Sequence, residues 1–215
     1  DTIKGSDHFP IQLEIKTNEK TYLFISYNAG HKIEGVQKLL SYINEMKKTK
    51  IVILALQEIN QYIDEHILGQ NVRKDKRKRT LFKSTYYTLP LLSEVLSNPL
   101  SLSKSEETEM YGLGIYSTLK CNLDRKYTNF FTFAQPFKGY MIVSVETDLG
   151  NIKIVNTHCP FADEKTSKST WELLNNLYDS NPMIIMGDLN SRSLLNYEKY
   201  EKDTTYCIDS CSSSF

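Results

Sequence analysis

Met183-Ile184-Ile185-Met186-Gly187-Asp188-Leu189-Asn190-Ser191-Arg192 is a short apolar run that passes directly into a polar hexapeptide. The run reads as a buried strand. Asp188 and Asn190 stand two residues apart at its exit, where strand alternation points them to the same side. A carboxylate there can polarise a water, and an amide can hold an oxygen of a substrate. Gly, Asp and Asn are also ordinary turn residues, so the hexapeptide gains its weight from three other polar clusters at strand ends: Ser26-Tyr27-Asn28, Gln57-Glu58 and Asn156-Thr157-His158.

Working outward, Ile11, Leu13 and Ile15 alternate with Gln12 and Glu14, which predicts a strand with one buried face. Lys16 to Lys20 is a polar turn, and Tyr22 to Asn28 a second strand, so the two form a hairpin with a five-residue loop. Ile33, Val36, Leu39, Leu40, Ile43 and Met46 recur at helical spacing, closed by Lys47-Lys48. Ile51 to Leu56 is a continuous apolar strand, buried on both faces. Leu113–Ser117, Phe130–Phe133, Tyr140–Thr147 and Ile152–Thr157 read as further strands, followed by a helix over Glu164 to Tyr178. Residues 61–110 show no clear pattern and contain the basic run Arg73-Lys74-Asp75-Lys76-Arg77-Lys78-Arg79, most simply a solvated insertion. After Leu195 the chain turns polar, and residues 210–215 read as weakly structured. Strands with a few interspersed helices predict an α/β layered domain. Several connections are too short for a crossover, so antiparallel pairs must be common.

A chain of 215 residues is long enough for one domain with a substantial core. Lys+Arg and Asp+Glu balance at 26 each, so no global field argues for DNA or membrane binding. The longest apolar run, Ile51 to Leu56, is far too short to span a bilayer. The N-terminus shows no secretory apolar region, although a chain that begins with Asp1 leaves an upstream segment open. Cys121, Cys159, Cys207 and Cys211 show no spacing that suits zinc. Cys207 and Cys211 are close enough in sequence to pair, yet the absence of a disulfide framework or an N-x-S/T acceptor favours a reducing, intracellular (cytoplasmic) setting over a secreted one.

Asn28, Glu58, Asn156, His158, Asp188 and Asn190 all fall at or just past the end of an expected strand. Each alone has an ordinary reading: an Asn that forms a turn, a solvated Glu, a hydrogen-bonded structural His. Together, converging at one rim, they suit Mg²⁺-assisted phosphoryl transfer, because magnesium takes carboxylates and amide oxygens while His and Asn stabilise phosphate oxygens. No G-x-S-x-G elbow supports a serine hydrolase, and no G-x-x-x-x-G-K-[ST] supports a P-loop.

The succession Ser26-Tyr27-Asn28, Gln57-Glu58, Gly112-Leu113-Gly114-Ile115-Tyr116-Ser117, Phe137-Lys138-Gly139, Asn156-Thr157-His158 and Gly187-Asp188-Leu189-Asn190-Ser191-Arg192 resembles the endonuclease/exonuclease/phosphatase superfamily, the DNase I-like fold. The match runs over residues 10–192, with 61–110 as a variable insertion. The resemblance implies one domain over residues 1–215 of α/β (α+β) class, a four-layer sandwich of two packed mixed β-sheets flanked by helices with a Mg²⁺ site at one rim. In one respect the chain departs from the pattern. The family closes on a Ser-Asp-His motif, whereas here Ser6-Asp7-His8-Phe9-Pro10 comes first, so that residues 1–15 resemble the family's last motif and strand. Two explanations stand open: a circular permutation, which adjacent first and last strands tolerate, or a piece cut from a tandem array. In either case Tyr206-Cys207-Ile208-Asp209 resembles the family's Ile-Asp strand.

Residue by residue, the resemblance implies that Glu58 ligates Mg²⁺ (Mn²⁺ substituting) with Asn28 beside it and Asp7 as a further metal-site or water-holding carboxylate. Asp188 would orient or deprotonate the attacking water, and Asn190 would hold a phosphate oxygen. His158 and His8 would contact the scissile phosphate from opposite sides, with Asp209 orienting His8. Gly-Asp-Leu-Asn-x-Arg is similar to the inositol polyphosphate 5-phosphatases, in which case Lys138 and Arg192 would supply cations for a multiply phosphorylated ring; their Trp-Cys-Asp-Arg pattern is absent. The expected substrate is therefore a phosphorylated small molecule or phosphoinositide. Nucleic acid is the rival substrate, for an endonuclease, and a third reading is a catalytically silent domain that binds a membrane or a protein through residues 61–110.

Overall fold

Tyr22 and Phe24 point one way along their strand while Leu23, Ile25 and Tyr27 point the other, and both sets are buried. A strand buried on both faces needs a layer on each side. The layers are seen in a computed structural model, which describes residues 6–30, 32–59, 63, 67, 84–88, 112–119, 121–123, 129–130, 138–160, 164–190 and 205–209; of these, 84–88, 121–123, 129–130, 164, 167 and 205–209 are described in backbone alone.

The elements are β1 (Ile11–Lys16), β2 (Thr21–Asn28), α1 (Ile33–Met46), β3 (Ile51–Ile59), β4 (Ser84–Thr88), β5 (Gly112–Ser117), β6 (Cys121–Leu123), β7 (Asn129–Phe130), β8 (Gly139–Thr147), β9 (Gly150–His158), α2 (Glu164–Asn175), β10 (Met183–Asp188) and β11 (Thr205–Asp209). One sheet has the order β1-β2-β3-β5-β4; the other has β11-β10-β9-β8-β6, with β7 also pairing to β8. Helices α1 and α2 make the crossovers that let β2 and β3, and β9 and β10, run parallel. Strands β10 and β11 are parallel too, and the remaining pairs are antiparallel, so both sheets are mixed.

Three apolar interfaces hold the layers together. Val36, Leu39, Leu40 and Ile43 of α1 pack on Leu23, Ile25, Val52 and Leu54 of the first sheet. Tyr22, Phe24, Ile53 and Ala55 face Met141, Val143, Ile152, Ile154, Ile184 and Met186 across the sandwich. Trp171 and Leu174 of α2 cover Ile142, Val155, Met183 and Ile185. The order is helix, sheet, sheet, helix, which is the four-layer α/β sandwich expected. At one pole Asp148, in the β8–β9 turn, accepts hydrogen bonds from Thr17 Oγ1 and the Tyr22 hydroxyl and so ties the sheets together. These bonds, that from Thr17 first, hold its carboxyl below the usual range.

Some expectations are adjusted. The hairpin loop has four residues because Lys16 pairs with Thr21, and the Thr17 hydroxyl accepts the Glu19 and Lys20 N–H groups within it. Leu13 and Ile15 do pack inward, but Ile11 is 36% exposed because β1 is an edge strand. Strand β3 runs three residues past Leu56, and α2 ends at Asn175. Of the strand expected over 130–133, residue 130 lies in β7, and 131–133 fall outside the described residues, as do Cys211 and the basic run 73–79. Among the described residues no helix is long and apolar enough to cross a membrane.

Candidate active site

Period-two alternation, continued past the apolar core, decides which polar groups meet. The inner face of β2 reads Tyr22, Phe24, Ser26, Asn28; that of β3 reads Ile53, Ala55, Gln57; that of β9 reads Ile152, Ile154, Asn156, His158; that of β10 reads Ile184, Met186, Asp188. Asp188 is directly opposite His158 in the parallel β9–β10 register. Close approach of these strands explains Gly187: its φ is +155°, and a Cβ there would lie 1.9 Å from the Thr157 carbonyl oxygen.

Asp188 is the hub. Its side chain is 2% exposed. Oδ2 accepts a hydrogen bond from Asn28 Nδ2 at 2.8 Å, while His158 Nε2 lies 3.5 Å away and His8 Nε2 3.7 Å away. Oδ1 accepts the Asn190 N–H at 3.0 Å. Asn28 in turn takes the Gly30 N–H on Oδ1 at 3.0 Å, which fixes its amide orientation. His8, Asn28, His158 and the Asn190 N–H therefore surround one carboxylate.

Glu58 arrives by a different device. Simple alternation would place it with Val52, Leu54 and Leu56 on the α1 side. Instead the β3–β5 register shifts between Leu56 and Ile59, and Glu58 has a φ of +49°, in the left-handed region. This bulge keeps Ile59 under α1 and turns the Glu58 carboxylate to the rim, 3.6 Å from His158 Nε2. A left-handed non-glycine residue stores strain of about 1–3 kcal/mol and clusters at functional sites.

Asn156 lies deeper than its place in the Asn156-Thr157-His158 cluster suggests. It is wholly buried, and its Nδ2 donates to the Leu56 and Gly114 carbonyls, both at 2.9 Å, while its Oδ1 accepts from Gln57 Nε2 at 2.7 Å. The two carbonyls belong to the residue pair just before the Glu58 bulge. Asn156 and Gln57 are thus struts between the sheets, one residue step below the rim, and sequence spacing alone does not distinguish a strut from a ligand. Asn190 also differs from expectation. Its φ of +48° breaks the alternation that would align it with Asp188, and its Nδ2 donates to the Cys159 carbonyl at 2.7 Å. Among the described residues its second amide hydrogen has no acceptor.

Lys138 stands just before β8, and its ammonium donates to His158 Nε2, with Nδ1 3.4 Å away. A lysine donates and cannot accept, so this contact assigns Nε2 as the unprotonated nitrogen. Burial, and after it the Lys138 charge, hold the His158 pKa down at about 4, against the opposing pull of Asp188 and Glu58. Tyr27 is buried, and among the described residues its hydroxyl has no hydrogen-bond partner; burial, and then the Asp7 charge, push its pKa up to about 12.

Three candidates remain. Asp7 is 85% exposed, with Oδ1 3.9 Å from His8 Nε2. Asp209 lies in β11 opposite Gly187, described in backbone alone, and Arg192 is outside the described residues. Among the described residues no three carboxylate, imidazole or thiol groups converge on one ion position. The donor set still fits a hydrated Mg²⁺. Glu58 offers a carboxylate 27% exposed, Asn28 Oδ1 keeps a lone pair, and the Lys138 ammonium beside His158 is itself a cation drawn to the cluster. Magnesium is commonly held by one or two carboxylates, with water and phosphate completing its shell.

No protein-family model and no curated protein sequence matches the chain. Solved structures do. The human Nocturnin catalytic domain with bound sulfate aligns over 92% of this chain and 73% of its own, at 14% identity and a TM-score of 0.51. D. rerio TDP2 complexed with single-strand DNA product aligns over 83% and 65%, at 14% identity and a TM-score of 0.51. C. elegans TDP2 aligns over 83% of this chain at 15% identity and a TM-score of 0.50, and the chain spans 49%, about half, of its length. At such identities the likeness is one of architecture: this chain has the DNase I-like fold.

Proposed function

We propose that the protein is a Mg²⁺-dependent phosphoester hydrolase, acting by preference on inositol phosphates or phosphoinositides. The observation that carries this reading is the buried Asp188 carboxylate with His158 at 3.5 Å, His8 at 3.7 Å and Asn28 at 2.8 Å, beside the re-aimed Glu58. Glu58, with Asn28 Oδ1 beside it, would hold the metal, which when bound supplies neutralising charge to phosphate oxygens. Asp188 would accept the proton of the attacking water, whose oxygen bonds to phosphorus as the ester oxygen leaves. Asn28 and the Asn190 N–H keep that carboxylate oriented. His8 and His158 flank the reacting phosphate and steady its charge, Asn190 holds one of its oxygens with the second amide hydrogen, and Lys138 and Arg192 meet further phosphates of the substrate.

His8, which precedes β1, reaches the Asp188 carboxylate, and β1 approaches β11 at the sheet edges. This supports reading the chain as a circularly permuted domain that carries its own Ser6-Asp7-His8 motif. The complex of D. rerio TDP2 with single-strand DNA product favours a second reading on the same machinery, a nuclease. Incubation with Mg²⁺ and a phosphoinositide panel, beside supercoiled plasmid, separates the two: released orthophosphate marks the phosphatase and nicked circles the nuclease. Neither product, or activity indifferent to Asp188→Ala, overturns both.

A further inference from the structure

Two acidic side chains and a lysine ammonium gather around His158, where an enzyme of this kind would place a metal. The Lys138 ammonium is in hydrogen-bond contact with His158 Nε2, and that atom lies 3.6 Å from Glu58 Oε1 and 3.5 Å from Asp188 Oδ2. The ammonium is therefore within about 7 Å of both carboxylates. Lysine carries its charge as a compact point on a flexible four-carbon stem, and Lys138 is partly exposed at the mouth of the site. It can leave. A divalent ion on Glu58 and an ammonium at His158 would repel each other.

We infer that Lys138 is the resident counter-cation of the Glu58–Asp188 pair, competing with a divalent ion for the Glu58 side of the rim and, once displaced, turning to the phosphate of an incoming substrate. The second half rests on the hydrolase reading; the competition rests on the geometry. Two consequences follow. Departure of Lys138 frees Nε2 of His158 to carry the ring proton, and in that tautomer it can donate to a phosphate oxygen when the ion is in place. In the ion-free protein, the same lysine keeps the carboxylates from repelling each other.

Mn²⁺ binding without substrate, read from the EPR signal of unbound ion, tests the competition in the wild type, Lys138→Met, Glu58→Gln and the double variant, with thermal unfolding as the check on folding. Repulsion between a divalent ion and a unit charge about 6 Å apart in a water-like dielectric corresponds to about tenfold in affinity. Lys138→Met is expected to tighten Mn²⁺ binding by that factor, and Glu58→Gln to weaken binding and shrink the gain to less than about threefold. Unchanged or weaker Mn²⁺ binding by Lys138→Met, or no binding by either protein at millimolar ion, overturns the inference. Phosphate release is measured separately: hydrolysis lost in Lys138→Met at unaltered Mn²⁺ affinity sinks the competition and leaves the hydrolase standing. Tighter Mn²⁺ binding with no hydrolysis by any of the proteins does the reverse.

Discussion

Asn156→Ala is expected to destabilise the fold first and to disturb the site as a consequence. The Asn156 amide makes three short hydrogen bonds in a wholly buried setting, to the Leu56 carbonyl, the Gly114 carbonyl and Gln57 Nε2. Truncation takes a donor from each of two buried carbonyl oxygens and loosens Gln57, which retains contacts of 3.4 Å to Ser26 Oγ and to the Ala55 carbonyl. Each buried group left unsatisfied costs about 1–3 kcal/mol, and a water entering the vacated polar space recovers part of that. The net loss is then about 3–5 kcal/mol, a large fraction of the roughly 5–15 kcal/mol that holds a domain folded. Urea unfolding measures it as a lower midpoint at an unchanged slope. Gln57→Ala alone and with Asn156→Ala closes a double-mutant cycle, in which a coupling above about 0.5 kcal/mol reports the direct bond. A loss below about 1 kcal/mol refutes the strut. Full stability combined with abolished phosphate release would instead make Asn156 a group that touches substrate.

Tyr27→Phe removes a buried hydroxyl that has no partner among the described residues, so it is expected to stabilise the protein by about 1 kcal/mol in urea unfolding; a loss of similar size would mean that the hydroxyl is bonded in solution. Gly187→Ala drives a Cβ into the Thr157 carbonyl and should cost more than about 4 kcal/mol, read as a collapsed urea midpoint or failure to fold; a stable, active variant would show that β9 and β10 do not approach this closely. His158 is held at about 4 when folded, against about 6.5 unfolded, so protons bind the unfolded chain first as pH falls. Its contribution is complete above about pH 6.5 and is lost towards pH 4, up to about 3 kcal/mol. Urea unfolding at pH 7.5 and 4.5 should therefore show a smaller loss in His158→Asn than in the wild type, and an equal loss would place a protonated imidazole in the native state.

What could be read from residues alone is whatever depends on local period. Apolar spacing marks α1 at its observed bounds, and the alternating and continuous runs mark β1, β2, β3, β5, β8, β9 and β10 to within a few residues. The inner-face polar ends Asn28, His158 and Asp188 follow from the same alternation, because a strand's pleat persists to its last residue. The element pattern gave an α/β layered domain, and the DNase I-like architecture was legible only through the resemblance carried by the polar motifs at the strand ends. Glu58 and Asn190 escape this logic. Each takes a left-handed conformation, and neither the register shift against β5 nor the reach of Asn190 to the Cys159 carbonyl is encoded in local period. The division between strut and rim, with Asn156 and Gln57 below and His158 and Glu58 above, also required the second sheet to be in place, since the Leu56 and Gly114 carbonyls that claim Asn156 come from across the sandwich. So did the meeting of His8 with Asp188 and of Lys138 with His158. Side-chain type and strand order settle which groups are available; which of them touch is a matter of packing between segments up to 180 residues apart, and only the assembled layers decide it.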